Sequence, residues 1–154
     1  MIAKSTPNIS EQETSGKGTD AKGHDQILEC LRTVGLRPTR QRLALGQLLF
    51  AGGDRHITAE ALHDEAVSVG IDVSLATVYN TLHQFTGAGL LRQVVVDASR
   101  TYFDTNTADH HHFFLEDQGT LMDIAGDQVE VSGLPAAPDG FDVARVDVIV
   151  RLRG

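Results

Sequence analysis

The sequence predicts an α+β fold in two parts, an N-terminal winged helix-turn-helix domain over residues 24–104 followed by a small, sheet-based α/β dimerisation domain over residues 105–154. Three observations predict it. Apolar residues recur at helical spacing between Ile27 and Phe85; the period shortens to that of strands from Leu90 onward; and the last third consists of short β-branched or aromatic runs broken by glycine and proline.

Residues 1–23 hold too few apolar groups to offset the entropy of ordering and are expected to form a disordered tail. "HDQILECLRTVG" then places Ile27, Leu28, Leu31 and Val34 on one helical face, with Gly35 as a stop. "RPTRQRLALGQLLFAGG" predicts a second helix, capped by Thr39 and ended by Gly52 and Gly53. A third opens at Thr58, with Glu60 in its first turn, and closes at Gly70. After a tight "GIDV" turn, "VSLATVYNTLHQFTGAG" starts at Ser74 and turns Leu75, Val78, Leu82 and Phe85 inward. Two short helices in that relation make a helix-turn-helix, whose second helix presents its N-terminal residues to the DNA major groove.

"LLRQVVV" and "RTYFDT", separated by "DAS", predict a hairpin directly after that helix, the position of a wing. "HHHFFL", "GTLMDIA" and "FDVARVDVIVRLR" read as three strands, with "GLPAAPDG" breaking the chain before the third and "GDQVEVSG" open as a short helix or turn. A small sheet with an exposed edge invites pairing with a second copy.

The net charge of −8 does not exclude nucleic acid, because what matters is the face that meets phosphate. Acidity concentrates in residues 105–154, with nine Asp/Glu against three Lys/Arg, whereas Arg32, Arg37, Arg40, Arg42 and Arg55 face only Asp54 within 32–55. The lone Cys30 excludes an intramolecular disulfide and a zinc knot of several thiolates. With neither a signal-like N-terminus nor a membrane-length apolar run, a cytoplasmic location is expected, with no membrane partner.

On the second helix of the pair, Ser74, Thr77, Asn80, Thr81 and Gln84 are candidate outward residues, with Tyr79 and His83 at the flanks. Asn and Gln pair well with adenine and Thr favours the thymine methyl, so A·T-rich double-stranded DNA is the expected partner. Phosphate contacts are then expected from Arg37, Arg40, Arg42 and Arg55, with Arg92 and Arg100 as further candidates. A polar helix face on a small helical domain is the plain alternative, against which the basic segment and the wing both argue.

His56, Asp104 and the run His110–His112 are the candidate metal ligands; imidazole with carboxylate suits zinc, ferrous iron or manganese. On a strand, His110 and His112 share one face with Phe114, and His111 shares the other with Phe113 and Leu115. His24, His63 and His83 are single histidines, expected to be ordinary surface or core residues. No Ser/His/Asp or phosphate-loop pattern supports an enzyme. The competing classes are a metal-dependent hydrolase built on the same histidines and a non-sensing winged-helix interaction module.

In order, "GLRPTRQRLALGQLLF", "HITAEALHDEA", "SLATVYNTLHQFTGAGLL", "TYFD" and "HHHFF" resemble the ferric uptake regulator family over about residues 27–153. Within that family they look most like the iron response regulators of rhizobia and related alphaproteobacteria. The resemblance implies a dimeric, metal-responsive repressor of a roughly palindromic operator, controlling iron and haem homeostasis. It implies an inter-domain metal site on His56, Asp104 and His112, with His110 available to complete it. It also implies that Phe114 and Phe113 replace ligands of two family sites, leaving His111 as the survivor of the second, and that the family's paired-CxxC zinc site is absent. Haem is the alternative effector, with His110, His111 and His112 as candidate axial ligands and the phenylalanines as apolar surface for the ring.

Overall fold

The computed structural model describes residues 17–154, in the order α1 (Lys17–Thr33), α2 (Arg40–Phe50), β1 (His56–Ile57), α3 (Ala59–Ser68), α4 (Leu75–Gly87), β2 (Arg92–Asp97), β3 (Arg100–Asp104), β4 (His110–Leu115), β5 (Thr120–Ala125) and β6 (Ile149–Leu152). A single 3-10 turn, Gly126–Gln128, follows β5. The tail expected over 1–23 is therefore shortened, because 17–23 form the first turns of α1, and residues 1–16 lie outside the described residues. Once the apolar face from Ile27 to Leu31 anchors a helix, each added residue gains one backbone hydrogen bond, so the helix extends into polar sequence.

The predicted caps hold. Thr39, Thr58 and Ser74 are extended in backbone, and their hydroxyls accept hydrogen bonds from the N–H groups of Arg42, Ala61 and Thr77. Gly35 and Gly70, at φ 77° and 80°, adopt the left-handed conformation that ends α1 and α3. The helices close on Leu31, Leu45, Leu49, Leu62, Val78, Leu82 and Phe85, all at most 1% exposed. Thr81 is also buried, so it faces this core and not solvent.

Gly46 lets α1 approach α2, since a Cβ there would lie 2.7 Å from Cγ2 of Ile27. Ile27 is stiff about χ1 and cannot move aside cheaply. Gly46→Ala should therefore lower stability by about 1 kcal/mol, the overpacking cost exceeding the gain in helix propensity. Urea denaturation measures this, and a more stable variant would contradict the close approach.

Two three-stranded sheets carry the rest. The first has the order β1-β3-β2, all antiparallel, with His56 opposite Asp104. The second has the order β5-β4-β6, β5 antiparallel and β6 parallel to β4. Val94, Val96 and Tyr102 of the hairpin pack with Phe114, Leu121 and Ile149 in a second core that joins the sheets. Two expectations for 105–154 are corrected: it contains no α-helix, and the strand expected over 141–153 is confined to Ile149–Leu152. Gly133, Pro135, Pro138 and Gly140 interrupt the chain before it, and only this last segment lies along the free edge of β4.

Candidate metal centre and nucleic-acid face

Five side chains converge where the two sheets meet. His56 on β1, Asp104 on β3, His110 and His112 on β4, and Asp123 on β5 each offer one ligand atom, all within 4.8 Å of one another. Cross-strand pairing places them: His56 lies opposite Asp104, and His112 opposite Asp123. Alternation along β4 turns His110 and His112 to the buried face together.

Oδ2 of Asp104, a fully buried residue, is 2.8 Å from Nε2 of His110, 3.0 Å from Nε2 of His112 and 3.1 Å from Nε2 of His56. Oδ1 of Asp123 lies 2.8, 3.3 and 3.4 Å from the same nitrogens of His56, His110 and His112. Donors about 2.1 Å from a shared ion stand about 3.0–3.4 Å apart in octahedral or tetrahedral geometry, and the carboxylate–imidazole separations here, 2.8–3.4 Å, lie close to that range. Nε2 of His56 is buried without an aligned hydrogen-bond partner, although two carboxylate oxygens are close. An imidazole and carboxylate set of this kind fits a divalent zinc, iron or manganese ion.

The remaining contacts orient the ligands. Nδ1 of His110 donates to the Ala108 carbonyl at 2.6 Å, leaving Nε2 as the ligand atom. Oδ1 of Asp104 accepts from the Asn106 N–H at 2.9 Å. Burial would raise the pKa of Asp104, but hydrogen bonds from His112, His56 and the Asn106 N–H, together with the charge on His56, hold it well below the usual carboxylate range. For His56 burial opposes protonation, yet the attraction of Asp104 and Asp123 outweighs it, and the pKa lies above the ordinary imidazole value.

This sets a pH dependence whose sign reverses with metal. Without metal, the raised pKa of His56 contributes stability that is complete below about 6.5 and is lost as pH rises through the raised value. With metal, the imidazole must be deprotonated to bind, so affinity rises over the same interval. Melting at about pH 6 and about pH 8, in EDTA and then in excess Mn2+, should show opposite pH trends. Parallel trends would remove His56 from the ligand set.

Asp123 is absent from the sequence expectation, which named His56, Asp104, His110 and His112. The signal was the register: pairing "HHHFFL" with "TLMDIA" across a short turn sets Asp123 opposite His112. Phe114, read as a lost ligand, shares the face of His110 and His112 but lies further along it, fully buried in the second core. The Arg100 guanidinium sits over its ring, 4.7 Å from the centroid, and that of Arg151 lies at 5.7 Å. The Nε2 atoms of His110 and His112 both point at one carboxylate oxygen, Oδ2 of Asp104. His111 faces the other way, and its Nδ1 accepts the Val148 N–H at 3.1 Å.

Of the candidate DNA contacts, Thr77, Asn80 and Gln84 line one shallow depression with Arg37, Thr39, Gln41 and Arg42. Arg42 donates to Oε1 of Gln84 at 3.2 and 2.9 Å and to the Arg37 carbonyl at 2.8 Å, tying α2 to α4. Arg37 and Arg40 are exposed beside it. The Ser74 hydroxyl is engaged as the α4 cap, and the Tyr79 hydroxyl donates to Glu60. Arg55 binds Glu65, with Nη2 2.5 Å from Oε1, and donates to the Leu48 carbonyl, so it braces α2 against α3. Arg92 is buried against Asp147, whereas Arg100, with a side chain 40% exposed, pairs with Asp97 at 2.7 Å. No helix among the described residues is long and apolar enough to cross a membrane.

The model of the "Ferric uptake regulator family" matches residues 33–151. A ferric uptake regulation protein of Bordetella parapertussis is 31% identical over 113 residues, covering 72% of this chain and 81% of that protein. One from Pseudomonas aeruginosa is 34% identical over 101 residues, covering 65% and 75% respectively. The solved structure of the ferric uptake regulator from Pseudomonas aeruginosa with manganese superposes with a TM-score of 0.63 at 25% identity, covering 83% of this chain and 97% of that one.

Proposed function

The chain belongs to the ferric uptake regulator family, whose members are metal-responsive transcription regulators and not enzymes, and from that premise we propose that it is a dimeric, sequence-specific DNA-binding regulator of iron homeostasis, switched by a divalent metal. One observation carries this reading: the five ligands come from both sides of the junction, His56 and Asp104 from the sheet attached to the helices, His110, His112 and Asp123 from the other. When bound there, a divalent ion supplies positive charge and directional bonds to both sheets.

His56 and Asp104 then hold the helical half at one angle to β4 and β5, and the angle sets how two copies space their α4 helices on DNA. In this reading α3, α4 and the β2–β3 hairpin act as a winged helix. Thr77, Asn80 and Gln84 face the base edges, with Arg37 and Arg40 on phosphate and Arg42 holding Gln84. The second copy pairs through the 105–154 unit. Location in the cytoplasm follows from this role.

The test is anisotropy of an A·T-rich, roughly palindromic duplex against a scrambled one at fixed salt, in EDTA and with Mn2+, Fe2+ or Zn2+, together with light scattering for the dimer. A gain in preference with one of the metals supports the reading. Equal binding to both duplexes under every condition sinks it.

Haem response is a second reading, in which His111 is the favoured axial ligand among His110, His111 and His112. That residue borders a depression also lined by Val129, Val131, Leu134 and Ala144, with Arg92 and Arg145 present. The apolar side chains suit a porphyrin ring and the half-exposed Arg145 one of its carboxylates. This reading is the one that accords with the likeness to iron response regulators. A haem absorption spectrum unchanged by His111→Ala would exclude it.

A further inference from the structure

Arg92 carries a buried charge that the metal ligands do not account for. It opens β2 directly opposite Asp104, and its side chain is only 5% exposed. Nη1 donates to the Ala108 carbonyl at 3.2 Å, Nη2 pairs with the Asp147 carboxylate, and Nε is buried without a hydrogen-bond partner. A guanidinium at this depth is costly unless neutralised, so its position depends on Asp147.

Both contacts lead to the ligand strand. The Ala108 carbonyl that accepts from Arg92 also accepts from Nδ1 of His110, the bond that aims Nε2 at the cluster. Asp147 precedes Val148, whose N–H reaches Nδ1 of His111 and whose carbonyl accepts the His112 N–H, each at 3.1 Å. Asp147 also accepts from Nε of Arg145 at 3.0 Å. On its other side Arg92 joins α4 by a short connection without slack. Gly89 takes φ 81°, the Leu90 N–H bonds the Phe85 carbonyl at 2.9 Å, and Leu91 is buried.

We propose that Arg92 is a positioning residue that transmits metal occupancy to α4, acting through Ala108 on one side and Asp147 on the other. The proposal rests on the metal-responsive reading above. It adds a second mechanical path from the ligand strand to the DNA-binding face, parallel to the path through His56 and Asp104 and dependent on one ion pair.

The test uses the full chain with Mn2+ as probe and compares Arg92→Met, Arg92→Lys, Asp147→Asn and the Arg92→Met/Asp147→Asn double variant. In EDTA, DNA affinity should stay within about threefold of the parent, as for changes remote from the DNA face. The gain in DNA affinity at saturating Mn2+ should shrink about tenfold in Arg92→Met and in Asp147→Asn. The double variant should be no worse than either single one, and Arg92→Lys should restore part of the gain. A merely structural role would lower the melting temperature and weaken DNA binding equally with and without Mn2+, leaving the gain intact; that result overturns the proposal. If Arg92→Met does not fold, Asp147→Asn carries the test, since Asp147 is half exposed. A parent protein with no Mn2+-dependent gain would instead sink the metal-responsive reading itself, and this proposal with it.

Discussion

Asp104→Asn should lower divalent-metal affinity by about a hundredfold or more and remove the metal dependence of DNA binding. Mutation of groups that only support a ligand already costs about 10–100-fold in affinity. Asp104 does more, since its Oδ2 is the atom on which the Nε2 atoms of His56, His110 and His112 converge. Asparagine preserves the shape and keeps an acceptor for the Asn106 N–H, so the fold should survive. What is lost is the negative charge that offsets the ion.

Calorimetric titration with Mn2+ reads the affinity directly, and melting reads it by linkage. Metal at a hundred times its dissociation constant stabilises the parent by about 2.7 kcal/mol, and most of that should vanish in Asp104→Asn. Asp123→Asn should show a smaller loss, because Asp123 is 38% exposed and water can take its place. Parent-like affinity in Asp104→Asn would show that the cluster is a hydrogen-bonded polar network and not a metal centre.

Phe114→Ala should destabilise the protein by about 3–5 kcal/mol, the usual cost of emptying a buried phenylalanine site. The residue is 0% exposed and packs against Tyr102 in a tilted ring pair with centroids 6.3 Å apart, at the point where the hairpin meets the second sheet. The more discriminating change is Phe114→His. If the phenylalanine stood in place of a ligand, histidine should strengthen metal binding. The structure predicts instead that metal stoichiometry stays the same while the melting temperature falls, because Val94, Val96, Leu121 and Ile149 surround the position and the guanidinium groups of Arg100 and Arg151 lie over the ring. An added equivalent of bound metal would reverse this assignment.

The helical half was legible because its signals are local. Thr39, Thr58 and Ser74 cap helices within three residues of themselves, and Gly35 and Gly70 end them through their own backbone torsions. Alternation along β4 is equally local, and it correctly separated His110 and His112 from His111. The segment between β5 and β6 is less legible. β-branched residues after Phe141 suggested a long strand, but strand formation needs a partner edge, and β4 offers one only to Ile149–Leu152.

The arginines show the same limit in electrostatic form. Arg37, Arg40, Arg42, Arg55 and Arg92 look alike in sequence, yet burial and partner choice divide them. Arg37 and Arg40 stay exposed, Arg42 holds Gln84, Arg55 braces Glu65, and Arg92 is drawn inward to Asp147. A guanidinium's role follows from the acceptor it meets, and those acceptors lie 42 residues away for Arg42 and 55 for Arg92.

By itself the sequence determined the helices, the hairpin, the face on which His110 and His112 lie and, by its order of motifs, the family. These depend on periodicity and on contacts a few residues apart. Only the tertiary structure decided that Asp123 completes the ligand set, that Phe114 belongs to the core and that Arg92 turns inward. Each of these depends on which strands pair and in what register, and a one-residue shift would send every side chain of β5 to the opposite face.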